Sequence, residues 1–100
     1  MRLLPFCVIR SFKDREAEKI FNQERSGKLP YEIQARALRK LIILNAAEGE
    51  RDLVSPPSNR FEHLSGRRKG ECSIRINDQW RICFRFVNGD AYDVSVEDYH

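Results

Sequence analysis

Three runs of alternating apolar and polar residues follow one another between residues 72 and 96, which read CSIRINDQWRICFRFVNGDAYDVSV. A period of two is typical of strands that bury one face, so these runs predict strands at 72–76, 80–86 and 92–96. Turn-forming residues separate the runs, which indicates consecutive antiparallel strands joined by hairpins. Residues 60–64 offer one more short strand.

The lengths of the two hairpin loops follow from keeping every apolar residue on the same face of the sheet. The first hairpin fits a three-residue loop at 77–79. In the second hairpin, a two-residue Asn88-Gly89 turn would bring Phe84 opposite Asp93. The pattern therefore favours a three-residue loop at 88–90.

The polar face of this predicted sheet brings charged side chains together. In the register above, Arg75 lies opposite Arg81, Arg85 opposite Asp93, and Arg81 opposite Glu97. Like charges directly across a strand pair are destabilising unless an anion lies between them. The face is therefore either a solvent-exposed surface with salt bridges or a surface that binds phosphate groups.

The first half of the chain predicts a short strand and two helices. Residues 8–11 are strand-like, and Asp14 is a suitable N-cap for a helix that runs to about Gln23. Pro30 suits the first turn of a second helix, with Gly49 as its C-terminal cap. The second helix has an amphipathic stripe of Ile33, Ala37, Leu38, Leu41 and Leu44.

These elements together predict an α+β domain. Residues 50–59 form a loop, because Pro56-Pro57 can continue neither a helix nor a ladder. The resulting order is β-α-α-β-β-β-β. It corresponds to two N-terminal helices on one face of a mostly antiparallel sheet of four to five strands.

Length, charge and cysteine usage limit the possible functions. One hundred residues suffice for one domain, and no apolar run approaches the ~20 residues of a transmembrane helix. The net charge of +3 conceals a +4 block at residues 60–86 and a −4 block at 87–100. The basic block indicates either a polyanion-binding surface or a solvated charged face. Cys7, Cys72 and Cys83 form no CxxC pair, so we expect reduced thiols in a cytoplasmic protein rather than disulfides or a zinc site.

The last three residues, Asp98, Tyr99 and His100, combine a carboxylate, a phenol and an imidazole. With Arg81 nearby, they supply the parts of a nuclease that transfers protons and stabilises a charged phosphorane. A histidine at a chain end is ordinarily frayed and silent, so the residue types alone leave both interpretations open.

Two motifs identify a family. The stretch NRFEHLSGRRKGECSIRINDQWRICF at 59–84 and the terminal EDYH resemble the HigB-type toxins of the RelE/ParE superfamily, also called plasmid maintenance system killer proteins. The resemblance covers about residues 8–100. It implies a single RelE-like toxin domain over residues 1–100, with residues 1–7 as an N-terminal extension.

The resemblance implies a type II toxin that enters the ribosomal A site and cuts mRNA there. Such a toxin is an endoribonuclease that needs no metal or other cofactor. The implied partner is a HigA-like helix-turn-helix antitoxin, and the complex of the two binds operator DNA and represses its own operon.

The resemblance also assigns residues to roles. Catalysis falls to Arg81, Asp98, Tyr99 and His100. Some members carry a further catalytic histidine at the position of Glu62, whereas the histidine of this chain stands at position 63 and would face the other way. Either Glu62 takes over proton transfer, or His100 and Tyr99 carry more of it. The resemblance implies RNA or ribosome contacts at Arg67, Arg68 and Lys69. The polar face of the predicted sheet adds Arg75 and Arg85 to the expected contacts.

A second function class stays open at this point. A toxin of the same fold could inhibit another target, such as DNA gyrase, without cutting RNA. The basic block at residues 60–86 fits both classes, and the Asp98-Tyr99-His100 tail favours the enzyme because a binding module has no need of a terminal proton donor.

Overall fold

Residues 8–99 of the computed structural model are described below. The predicted N-terminal extension at residues 1–7, which includes Cys7, and His100 lie outside this range. The helices are α1 (Arg15–Phe21), α2 (Tyr31–Ala46) and the single turn α3 (Arg51–Val54). The strands are β1 (Glu62–His63), β2 (Cys72–Arg75), β3 (Trp80–Val87) and β4 (Asp90–Asp98). Two 3₁₀ turns, Pro57–Asn59 and Gly66–Arg68, precede and follow β1. No helix in this range is long and apolar enough to cross a membrane.

The four strands form an antiparallel sheet in the order β1-β2-β3-β4, which confirms the α+β prediction. Helices α1 and α2 pack against each other and against one face of this sheet. The core between the two layers contains Ala17, Ile20, Ile33, Ala37, Leu41, Leu44, Ile74, Ile82, Phe84, Ala91, Val94 and Val96.

The strand predicted at residues 8–11 is not a regular strand. This segment makes two isolated parallel bridges to β4, Ile9 to Ala91 and Phe12 to Val94. An irregularity in β4 lies between the two bridges and interrupts the ladder. The segment nevertheless covers the edge of β4 with backbone hydrogen bonds, one of them from the Arg10 amide to the Ala91 carbonyl at 2.7 Å.

Of the two helix caps predicted from the sequence, one is confirmed and one is wrong. Asp14 is the N-cap of α1, and its carboxylate accepts a hydrogen bond from the Glu16 amide at 2.9 Å. Gly49 is not the C-terminal cap of α2, because the chain already leaves the helix at Ala47, which is extended and buried. The predicted loop at 50–59 also contains α3 and the first 3₁₀ turn.

The first hairpin has the predicted register, but the second has not. Arg75 lies opposite Arg81, as expected. In the second hairpin Val87 pairs with Asp90, so the turn is the two-residue Asn88-Gly89 turn that the pattern had disfavoured.

A bulge in β4 restores the alternation beyond this turn. Arg85 pairs with Tyr92, not with Asp93, whereas Cys83 pairs with Ser95 and Arg81 with Glu97. The ladder therefore gains one residue in β4 opposite Phe84. Asp93 has a positive φ of 55°, a conformation that aspartate tolerates better than most residues.

The polar face of the sheet is less open than the alternation suggests. Ser73, Arg81, Cys83 and Ser95 all point away from the helices, and all four are buried. The backbone at Arg60 and the side chain of Arg68 contact this face and reduce its exposure.

Candidate active site

A cleft of about 170 Å³ lies on the polar face, where β1, β2 and β3 meet the end of β4. We call it the Arg81 cleft. It is lined by Arg60, Glu62, Arg75, Asn77, Asp78, Arg81 and Tyr99. Three of the predicted catalytic side chains, Glu62, Arg81 and Tyr99, are therefore brought together.

Arg81 is the most buried cation of the cleft, with only 8% of its surface exposed. Its Nε donates a hydrogen bond to the Ser73 hydroxyl at 2.8 Å, and its Nη2 donates to the Arg60 carbonyl. Two neutral acceptors fix the guanidinium without neutralising its charge. Arg81 can therefore present a fixed positive charge to an anion in the cleft.

The Tyr99 ring stacks on this guanidinium, with 5.5 Å between the Arg81 Cζ and the ring centroid. The Tyr99 amide donates to the Gln79 carbonyl, which ties the residue to the first hairpin. Burial raises the pKa of the Tyr99 phenol above its ordinary value of 10.0. At neutral pH the side chain is therefore a protonated hydroxyl that can donate a proton or a hydrogen bond.

Glu62 and His63 face opposite sides of β1, as strand alternation predicts. Glu62 lies opposite Ser73 and lines the Arg81 cleft. His63 lies opposite Cys72, and its two ring nitrogens contact the Cys72 Sγ at 3.5 Å and a Glu50 carboxylate oxygen at 3.0 Å. At this position of β1 the residue that enters the cleft is the glutamate.

The arginine pair Arg75 and Arg81 avoids direct repulsion because each guanidinium has its own partners. Arg75 forms an ion pair with Asp78 in the hairpin loop. Arg81 turns instead toward Ser73 and Arg60. Both arginines line the cleft, but Arg75 is already paired with Asp78, whereas Arg81 is held by neutral acceptors.

Comparison with known proteins finds a matching family model and similar sequences. Residues 10–100 match the family model described as the RelE-like toxin of the type II toxin-antitoxin system HigB. Toxin HigB-1 of Vibrio cholerae serotype O1 is 45% identical over 87 residues, which cover 86% of this chain and 92% of the relative. Endoribonuclease HigB of Proteus vulgaris is 32% identical over 93 residues, which cover 93% of this chain and 100% of the relative.

The chain belongs to the HigB-like toxin family. The family predicted from the motifs at 59–84 and at the C-terminus is thereby confirmed. Membership makes the chain the toxin of a type II toxin-antitoxin system, and such a system includes an antitoxin partner.

Arg68 of the toxin is paired with acidic side chains and connects the second 3₁₀ turn to β4. Its guanidinium donates to both carboxylate oxygens of Glu97, at 2.7 and 2.8 Å, and to the Glu71 carboxylate at 2.7 Å. These hydrogen bonds lower the pKa of Glu97 and of Glu71 below the ordinary carboxyl value. Arg68 is therefore already paired with two acids, and its assignment as an RNA contact stays a prediction.

The remaining predicted contacts of the toxin lie at other places on its surface. Arg67 and Lys69 are exposed at the 3₁₀ turn that follows β1. Arg85 is exposed and lines a separate cavity of about 290 Å³ with Lys13, Glu71 and Asp93. The structure does not bring Arg85 into the Arg81 cleft.

Asp98 is also absent from the residues that line the Arg81 cleft. It lies opposite Trp80 in the ladder, on the face that β3 turns toward the helices, and accepts a hydrogen bond from the Gln79 side chain at 3.1 Å. Successive side chains of a strand point to opposite faces, so Asp98 and Tyr99 cannot both enter the cleft from a regular strand. His100, the last predicted catalytic residue, lies outside the described residues.

Three residues of the cleft were not predicted as site residues: Arg60, Asn77 and Asp78. The sequence marks Asn77 and Asp78 only as turn formers, and Asn77 does hold the turn by accepting from the amides of Gln79 and Trp80 at 2.8 Å. Arg60 has a positive φ of 46°, which no sequence signal indicated. Among residues 8–99, no cluster of three or more histidine, cysteine or acidic side chains could hold a metal ion.

Proposed function

We propose that the toxin is an endoribonuclease that cuts mRNA on the ribosome and so inhibits translation. The observation that carries this proposal is the Arg81 cleft, in which a carboxylate, a guanidinium and a phenol lie together. The name of the Proteus vulgaris relative, an endoribonuclease, supports the same activity. These three groups are the ones that phosphodiester cleavage through the ribose 2′-hydroxyl requires.

The proposed reaction divides the roles among the three side chains. Glu62 accepts the proton of the 2′-hydroxyl, and the 2′-oxygen then forms a bond to the adjacent phosphorus. Arg81 stabilises the negative charge that develops on the phosphorane oxygens. Tyr99 donates its proton to the 5′-oxygen as the phosphorus–oxygen bond to that atom breaks. The products are a 2′,3′-cyclic phosphate and a free 5′-hydroxyl, and protons and electrons balance.

Two further residues keep proposed roles at the end of β4. His100 follows Tyr99 directly, and we propose it as a second proton-transfer group that can share the acid role. Asp98 acts at most through position, because its carboxylate binds the Gln79 side chain while the Gln79 carbonyl accepts from Tyr99. Asp98 would then help to keep Tyr99 over Arg81.

The proposed partners follow from charge and family. Arg67, Lys69 and Arg85 are exposed cations, and Arg75 lines the cleft, so we propose these four as contacts to RNA phosphates. The antitoxin would be a HigA-like helix-turn-helix protein, and operator DNA would bind only through the toxin–antitoxin complex. Action on ribosomes requires that the toxin works in the cytoplasm.

Cleavage mapping tests this function. The toxin is induced from a plasmid, and primer extension maps 5′-hydroxyl ends on a translated mRNA and on a copy of it that lacks a start codon. Cuts on the translated copy alone support the proposal. Intact mRNA together with altered supercoiling of a reporter plasmid would reject it and favour the gyrase-type alternative.

A further inference from the structure

Another cavity, of about 430 Å³, adjoins the Arg81 cleft and is strongly basic. We call it the α2 basic cavity. It is lined by Arg36, Arg39, Lys40, Ser58, Arg75 and Ile76. Four of the six lining residues are cations, none is an acid, and they come from α2, the first 3₁₀ turn and the end of β2.

Three of the four cations of this cavity are not neutralised from within the fold, whereas Arg75 is paired with Asp78. Arg36 donates to the Ile76 carbonyl at 3.4 Å and Lys40 donates to the Asn59 side-chain oxygen, and both of these acceptors are neutral. Within residues 8–99, Arg36, Arg39 and Lys40 form no ion pair with a carboxylate. Burial, together with the neighbouring Arg36 and Arg39, lowers the pKa of Lys40. Like charges held this close repel one another, and a bound anion would remove that repulsion.

Arg75 connects the two cavities, because it lines both of them. An RNA strand with one phosphate in the Arg81 cleft would therefore reach the α2 basic cavity with phosphates next to it in sequence. The cavity also has polar donors and only one apolar side chain, Ile76, in its lining. A docked protein segment normally buries an apolar patch, whereas a nucleic-acid backbone needs mainly cations and hydrogen-bond donors.

We propose that the α2 basic cavity binds the phosphodiester backbone of RNA beside the nucleotide held in the Arg81 cleft. This inference rests on the proposed function, since it extends the same RNA site onto the helix layer. The RNA can be messenger or ribosomal, and the experiment below separates these two sources. An acidic segment of the antitoxin is the competing occupant.

The test uses the full chain in three variants. The first is Arg36→Gln/Arg39→Gln/Lys40→Gln, in which the glutamine at 40 can still donate a hydrogen bond to Asn59. The second is Arg36→Gln/Arg39→Gln, which leaves Lys40 untouched and guards against a folding defect. The control is a triple variant with the same loss of charge at exposed cations away from both cavities: Arg15→Gln/Arg25→Gln/Lys28→Gln.

Binding to a fluorescent 15-nucleotide RNA, made uncleavable by 2′-O-methyl groups, is measured between 50 and 200 mM KCl. Each lost phosphate contact reduces the slope of log K against log salt by about 0.7 for single strands, so the triple variant should lose about 2 in slope and the double variant about 1.4. At 50 mM salt the triple variant should bind roughly tenfold or more weakly than wild type. The control should keep most of the wild-type slope.

Sedimentation with ribosomes identifies the source of the RNA. A loss of binding by the triple variant on vacant ribosomes assigns the cavity to ribosomal RNA. A loss only on ribosomes programmed with mRNA assigns it to the message. Slopes that fall equally in the triple variant and the control would overturn the proposal, as would normal RNA binding combined with loss of the antitoxin complex. Failure of the proposed function is a separate result, because there the wild-type toxin itself leaves translated mRNA intact.

Discussion

Replacement of Arg81 by alanine should disarm the toxin while leaving it folded. The guanidinium makes two hydrogen bonds, to the Ser73 hydroxyl and to the Arg60 carbonyl, and Tyr99 stacks on it. A hydrogen bond to a charged group contributes about 1.5–3 kcal/mol, but water can enter the open cleft and satisfy the two acceptors again. We therefore expect the free energy of unfolding to fall by about 2–3 kcal/mol, out of a typical total of about 5–15 kcal/mol.

The catalytic loss should be larger than this structural loss. Removal of one preorganised donor to a developing negative charge typically lowers the rate by about 10²–10³-fold, equivalent to about 2.7–4 kcal/mol in the transition state. Two companion variants separate charge from position. Arg81→Lys keeps the charge but cannot contact both acceptors, and Ser73→Ala keeps the guanidinium but removes one of its anchors. We expect losses of about 10–100-fold for both, since each retains part of the arrangement.

The assay for these variants is single-turnover cleavage of mRNA on ribosomes, measured beside urea denaturation of each protein. Rates are compared at a temperature where every variant is more than 95% folded by its own denaturation curve. A folded Arg81→Ala protein that cuts within about threefold of wild type would refute the assignment, because a loss of less than about 0.7 kcal/mol is too small for a transition-state cation. A Ser73→Ala variant as inactive as Arg81→Ala would instead show that position matters more than charge.

Three further predictions concern the neighbours of this arginine. Tyr99→Phe keeps the ring over the guanidinium but removes the proton donor, so the cleavage rate should fall about 10²–10⁴-fold while the melting temperature stays unchanged. If this variant cuts at the wild-type rate, another group must be the general acid. Glu62→Gln should lower the cleavage rate by about 10²–10⁴-fold, whereas His63→Gln, on the opposite face of β1, should cut like wild type. A large loss in His63→Gln together with normal cleavage by Glu62→Gln would identify the histidine as the general base. Arg68→Met should lower the free energy of unfolding at pH 7 by about 2 kcal/mol, since it removes the charged hydrogen bonds to Glu97. Because Arg68 lowers the folded-state pKa of that carboxyl below its ordinary value of 4.5, the difference from wild type should be full above pH 4.5 and disappear as the pH falls through the lowered pKa, which urea denaturation at several pH values measures.

The alternation of apolar residues predicted the part of the sheet that carries the site. It placed Arg75 opposite Arg81 and Arg81 opposite Glu97, and both pairs are present. This succeeds because one face of each strand is buried against helices, and a slip of one residue would expose the whole apolar set. The helix cap at Asp14 was predictable for an equally local reason, since its carboxylate bonds to an amide two residues away.

The features that the sequence concealed depend on contacts between distant residues. Arg68 carries the same charge as Arg67 and Lys69, but it alone meets Glu97, 29 residues further along the chain. No count of charges distinguishes a cation that is already paired from one that is available to RNA. The basic face of α2 was likewise not predicted. The apolar stripe of α2 explains the helical periodicity of its sequence, but it does not indicate that the cations of the helix lie beside β2.

The bulge at Asp93 decides which face the end of β4 presents to the cleft. With the two-residue turn and no bulge, the pairing at the turn would continue unchanged, Trp80 would lie opposite Glu97, and Tyr99 would point toward the helices. The one extra residue shifts the phase of the strand and sends the phenol to the side of Arg81. Tyr99 lies six positions after Asp93, about 20 Å of extended chain. A one-residue insertion between this exposed bulge and Tyr99, with the bulge kept, would therefore exchange the two faces of the strand end, and the toxin would lose its proton donor through a change in parity alone.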